Sequence, residues 1–281
     1  MNKTQQGFSL IELAIVLVIV TILLGGLAVP LSAQIEARRI AETRKIMDEA
    51  KEAIMGYAMT HSCSCQYDSS GILSEAPLGP LPQSTCTSFC PATGPNSATI
   101  KRPYLPCPDT NADGMENRLA SGECLQFRGY IPSVDLGTAS QDAWGNRILY
   151  AVAADIADST KGFYTGSLAA GNWNQVLSST AQCTLAVPNV DVAADVPVVL
   201  VSHGSNSRGA RNANIPPADP TPVAPAATGV DELQNLGTTQ NTCTTKSFIS
   251  ANPSDAFDDL VTWLPFSMLI SRVCPTPGGC Q

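Results

Sequence analysis

Glu12 is the one acidic side chain in an apolar run that reads FSLIELAIVLVIVTILLGGLAVPL from Phe8 to Leu31. As a helix those 24 residues would measure about 36 Å, enough to cross a ~30 Å hydrocarbon layer. A carboxylate inside such a layer costs on the order of 2.5–3.5 kcal/mol at mid-depth and calls for a partner. The run is preceded by a short polar stretch, MNKTQQG. Cleavage after Gly7 would make Phe8 the new N-terminus, with a free cationic α-amine. Within one helix Phe8 and Glu12 stand at i and i+4, on one face. The amine could then neutralise the carboxylate, within a subunit or between neighbours. The competing reading is a secretory signal peptide, whose cleavage site would follow Leu31-Ser32-Ala33. There the bulky Leu31 stands where a small residue is wanted.

The run Gly7-Phe8-Ser9-Leu10-Ile11-Glu12-Leu13 resembles the prepilin cleavage and methylation motif of type IV pilins and type II secretion pseudopilins. The resemblance implies cutting after Gly7 and N-methylation of Phe8 by a membrane prepilin peptidase, and it assigns Glu12 to assembly. It further implies other pilin or pseudopilin subunits and an inner-membrane assembly platform as partners, with the lipid bilayer as surroundings before assembly. The expected location is the bacterial inner membrane, crossed once with the C-terminal domain periplasmic, and then a pilus or pseudopilus filament. Within that family the long globular part and the many cysteines favour a minor pilin or a large pseudopilin over a compact major subunit. The alternative is a membrane-tethered or tip-displayed adhesive or ligand-binding module.

The elements that must carry these residues follow from patterning. Residues 1–7 form the leader, 8–31 the transmembrane helix, and 32–61 an amphipathic helix that continues into a globular domain over 62–281. In the amphipathic half Ile40, Met47 and Ile54 fall seven apart, with Thr43, Ala50 and Tyr57 between them, which makes one apolar stripe. Gly25, Gly26 and Pro30 are expected to weaken the helix near the end of the apolar run. Strands are predicted at Arg147–Val152, Val196–Ser202 and Leu260–Leu264, while Phe266–Val273 could be a strand or a short helix. The Pro-rich run 215–229 reads as an exposed loop. The fold class is α+β: a long N-terminal helix packed on a mainly antiparallel sheet, disulfide-rich and pilin-like.

All ten cysteines lie after residue 60, in an even number that suits an oxidising compartment. Cys107 with Cys124, Cys183 with Cys243, and Cys274 with Cys280 are the candidate pairs. Zinc is disfavoured, because no Cys-x-x-Cys occurs and there are only two histidines. No cofactor is required by this reading, but calcium has a candidate loop. Asp109, Asn111 and Asp113 alternate before Gly114, as oxygen ligands do in calcium loops. The twelfth position is Ala120 instead of the bidentate acid, so Glu116 is the candidate substitute; Asn117 or Glu123 could also serve. Without a cation the same residues make a turn capped by its own side chains.

Asp142-Ala143-Trp144-Gly145-Asn146 resembles the Asp-Pro-Trp-Gly-Asn motif of major pseudopilins, with Ala143 in the place of proline. It implies a tight turn and supports the fold, not a mechanism. His203-Gly204-Ser205-Asn206-Ser207 lacks the Gly-x-Ser-x-Gly elbow, and no phosphate-binding glycine loop is present, so no enzyme activity is expected. A formal net charge of −8 gives no general pull toward phosphate backbones, and a nucleic-acid partner would need a local basic patch.

Overall fold

The computed structural model describes residues 9–75, 99–160, 162–163, 173–183, 192–212, 229–239, 243–254, 256–274 and 280, without the side chains of 23–31, 64, 66, 73–75, 99–100 and 182. Gly7, Phe8, the leader and all but the last residue of the 215–229 run lie outside the described residues, as do Cys86 and Cys90. The chain divides into two compact units, Met1–Glu42 and Thr43–Gln281.

A single helix, α1, spans Leu10–Thr60. Gly25, Gly26 and Pro30 fall inside it, so the expected weak point does not end the element. Proline in a helix forfeits one backbone bond, a loss that the flanking turns can carry in a helix this long. In the second unit the predicted stripe is the buried face. Met47, Ala50 and Ile54 are at most 1% exposed, and Thr43 and Tyr57 are buried beside them.

Among the described residues ten strands form three sheets. β1 (Ser62–Tyr67) pairs antiparallel with β2 (Leu73–Glu75) and β3 (Thr99–Pro103). The central sheet has the order β10-β8-β5-β4, all antiparallel, from Leu260–Leu264, Val198–Ser202, Leu149–Val152 and Arg128–Tyr130. In the third sheet β6 (Asn174–Leu177) lies between β7 (Ala193–Val196) and β9 (Ser247–Ile249). Its β6–β9 pair is parallel, the one departure from an otherwise antiparallel arrangement among the described strands. Short helices α2 (Ser133–Leu136), α3 (Ala154–Ala157) and α4 (Val230–Leu236) sit in the connections, and α5 (Phe266–Val273) follows β10.

The run Val196–Ser202 is not one strand. Pro197 has no N–H to give to a ladder, so β7 ends at Val196 and β8 begins at Val198. Pro197 still contributes its carbonyl, which accepts from Ala153 N at 2.8 Å. β8 is buried along its whole length, as expected for a strand apolar on both faces. Val198 and Leu200 join a core with Met47, Ile54 and Leu269, which places the part of α1 after Thr43 and α5 on one face of the central sheet. Val199 and Val201 join a second core with Val176, Val196 and Phe248, which places the third sheet on the other. Cys107–Cys124, Cys183–Cys243 and Cys274–Cys280 are joined as disulfides.

Candidate functional site

The first helical turn begins with a reciprocal cap. Ser9 N donates to Glu12 Oε2 at 2.9 Å, and Glu12 N donates to Ser9 Oγ at 3.4 Å. Ser9 is thus the N-cap and Glu12 the third helical residue of a capping box, which satisfies two donors that a helix start leaves open. The sequence reading left Glu12 without a partner until the chain is cut. The structure supplies one from the backbone, and the Ser-x-x-Glu spacing was there to be read. Beyond the cap, Leu10, Ile11, Leu13 and Ile15 through Val20 are all exposed, on every side of the helix. A helix apolar all round calls for an apolar surrounding. Among the described residues no helix is long and apolar enough to cross a membrane.

The Asp109 turn is closed by its own groups. Asp109, fully buried, accepts from Asn111 N at 3.1 Å and Ala112 N at 2.6 Å on Oδ1, and from Gly114 N at 2.7 Å on Oδ2. Asn111 Nδ2 donates to Asp113 Oδ2 at 2.9 Å. These three candidate ligands share one turn; Glu116 does not face it. Its Oε1 accepts from Tyr57 Oη at 3.1 Å, and its Oε2 accepts from Cys107 N at 2.8 Å and Arg118 Nη2 at 2.9 Å. Arg118, almost fully buried, also donates to the carbonyls of Leu105, Gly122 and Ala157. Glu116 is therefore the joint between the helix, the Cys107 loop and the guanidinium. Burial, then the Glu116 charge, pushes the Tyr57 phenol well up; burial raises Tyr104 to about 12. Burial works against the Arg118 charge, and Glu116 more than offsets it, so its pKa is raised.

The Asp142 turn ties α1 to β8. Asp142 Oδ1 accepts from Trp144 N and Asn146 N, both at 2.9 Å, while Oδ2 accepts from Ser202 Oγ at 2.6 Å. Gly145 takes φ +86°, which only glycine adopts cheaply. Ala143 donates its N–H to Thr43 Oγ1 at 3.1 Å. A proline at that position would have no hydrogen to give, so the departure from the pseudopilin motif gains a bond to the helix.

The hydrogen bonds of His203 and Ser205 go to different carboxylates. His203 Nδ1 lies 3.2 Å from Asp259 Oδ1, whereas Ser205 Oγ donates to Asp258 Oδ2 at 2.9 Å. The loop after β8 thereby joins an acidic cluster that sequence reasoning missed. Glu232, Asp258 and Asp259 each place a carboxylate oxygen within 4.8 Å of the others. The Asp-Asp doublet was visible in the sequence. Its convergence with Glu232 comes from α4 packing on the edge strand β9, with Asn235 bonded to both Ile249 and Asp259, and no local pattern announces that.

Residues 2–28 match the prokaryotic N-terminal methylation motif. The chain carries a prepilin-type methylation motif. It is the motif typical of type IV pilins and pseudopilins, and it implies processing by prepilin peptidase and assembly with pilin subunits into a pilus or pseudopilus. Proteins that bear this motif are generally structural and non-enzymatic. No curated protein and no solved structure matches the chain.

Proposed function

We propose that this chain is a structural subunit of a type IV pilus or pseudopilus filament, of the minor-pilin kind. In this reading the prepilin peptidase cuts after Gly7 and methylates Phe8. The run 8–31 holds the subunit in the bacterial inner membrane, with the remainder in the periplasm. Assembly then moves the apolar helix from lipid into the filament core, where Glu12 meets the Phe8 amine of a neighbour. The observation that carries the reading is the pairing of the methylation motif with a helix apolar on every side except at one capping carboxylate. A cap of this kind is worth about 1 kcal/mol, less than the ~2.5–3.5 kcal/mol that a carboxylate costs at mid-bilayer. The Ser9 N–H therefore does not make Glu12 comfortable in lipid by itself, and a positive partner retains its value. The large globular part, 62–281, with all ten cysteines, favours a minor subunit over a compact repeating one.

Substitution of Gly7 by leucine tests the processing step. Gly7→Leu should leave a membrane-bound precursor that is longer than the wild-type product by the leader. A product of mature size from Gly7→Leu would contradict the assigned cleavage site.

A further inference from the structure

We infer that Glu232, Asp258 and Asp259 form a binding site for a hard divalent cation of the calcium class. The three carboxylates come from α4 and from the segment before β10, and one oxygen of each lies within 4.8 Å of one from each of the others. Glu232 is 0% exposed and Asp259 is 5% exposed. Carboxylates are seldom buried so close together without compensation, because like charges in a poorly hydrated place repel.

The compensation present in the protein is incomplete. Glu232 Oε1 accepts from Asn206 Nδ2 at 2.7 Å and from Asp258 N at 3.4 Å, while its Oε2 is buried with no hydrogen-bond partner. Asp258 Oδ2 accepts from Ser205 Oγ and Asn206 N, while its Oδ1 is likewise buried and without a partner. Asp259 is shared between His203 Nδ1 and Asn235 Nδ2, at 3.2 and 2.8 Å. Arg128, which feels the Asp259 charge, gives its Nη donors to the carbonyls of Gln234, Asn235 and Thr245, not to a carboxylate. Two orphaned anionic oxygens thus sit in a cluster of three acids.

The donor set is oxygen only, which suits calcium or a similar hard ion and not zinc or copper. Three carboxylates can give three to six of the roughly six to eight oxygens that calcium takes, with water completing the shell. Gly204 lets the backbone close over the cluster: at φ +61°, a Cβ there would stand 2.6 Å from the carboxyl carbon of Asp258. The alternative to a cation is a proton on Glu232, whose carboxyl burial pushes up, with its two acidic neighbours adding to the effect.

The test uses the full chain in detergent micelles, stripped with EDTA and then given millimolar CaCl2. The Tm of the wild type should rise by about 5 °C. Asp258→Asn and the isosteric Glu232→Gln should each fold and lose that rise, while Asp113→Ala, in the other acidic turn, should keep it. MgCl2 should give a smaller rise, because magnesium demands a stricter octahedron and sheds water reluctantly. A wild-type Tm that CaCl2 leaves unmoved would overturn the site in favour of a protonated Glu232. A rise that survives both Asp258→Asn and Glu232→Gln, or that disappears in Asp113→Ala, would overturn it by placing the ion elsewhere.

Discussion

Glu12 has two separable roles, a helix cap and a charge, and a pair of substitutions divides them. Glu12→Gln keeps a side-chain oxygen at the right distance to accept from Ser9 N, the bond seen at 2.9 Å, because glutamine serves the capping box as glutamate does. Glu12→Ala removes both cap and charge. Loss of the cap costs about 1 kcal/mol of helix stability at its first turn. Loss of the charge removes a desolvation cost on the order of 2.5–3.5 kcal/mol at mid-bilayer, less near the interface, so both variants should insert at least as well as the wild type. Filament assembly is another matter. A carboxylate and an amine about 4 Å apart gain roughly 4 kcal/mol where the effective dielectric constant is near 20, worth far more than a tenfold change in association. Membrane fractions and sheared filaments, probed with an antibody against the globular part, would measure the two steps. Both variants should be present and processed in the membrane, and both should lose filament incorporation by more than about tenfold. Filaments from Glu12→Gln at wild-type yield, with Glu12→Ala defective, would show that the cap matters and the charge does not, and would refute the reasoning.

Glu116→Ala should destabilise the globular part by about 3 kcal/mol, because it leaves the buried Arg118 guanidinium without its anion and Tyr57 without its acceptor. Glu52→Ala, which breaks an exposed pair with Arg272, should cost under about 0.5 kcal/mol, and urea unfolding of the two variants would compare them. Tyr57, Tyr104 and the fully buried Tyr150 all have raised pKa values, with burial the chief cause. Their folded-state values lie above the unfolded one, so their contribution is complete below the unfolded pKa of about 10 and is lost as the pH rises beyond it. Above that pH stability should fall by about 1.4 kcal/mol per pH unit for each tyrosine that ionises only on unfolding. Thermal melts across the alkaline range, with phenolate absorbance followed alongside, would check this; a flat profile would contradict it.

What the sequence disclosed and what it withheld divide along physical lines. The stripe of Thr43, Met47, Ala50 and Ile54 was legible because a helix repeats its buried face at a fixed spacing. β5, β8 and β10 were legible as apolar runs bounded by turn residues. The split at Pro197 needed only the missing N–H, but Val196 before it and the apolar run from Val198 after it concealed it. The parallel pairing of β6 with β9 was not legible, since it joins segments about seventy residues apart and depends on packing against the far face of β8. The same holds for the chemistry. Glu12 was plain as a charge among apolar residues, and its cap was a local four-residue pattern. The engagement of Glu116 with Tyr57 and Arg118, and the convergence of Glu232 with Asp258 and Asp259, are tertiary facts that no local spacing carries.

The central claim is that proteolysis supplies the positive group that a carboxylate in an apolar helix requires. Intact-mass and N-terminal fragment analysis of the chain purified from its native membrane or filament tests it most directly. The account predicts a polypeptide that begins at Phe8, with a methyl group on its α-nitrogen and Glu12 four residues further on. A chain that starts at Met1, or one cut after Ala33 as a secreted protein would be, would contradict it.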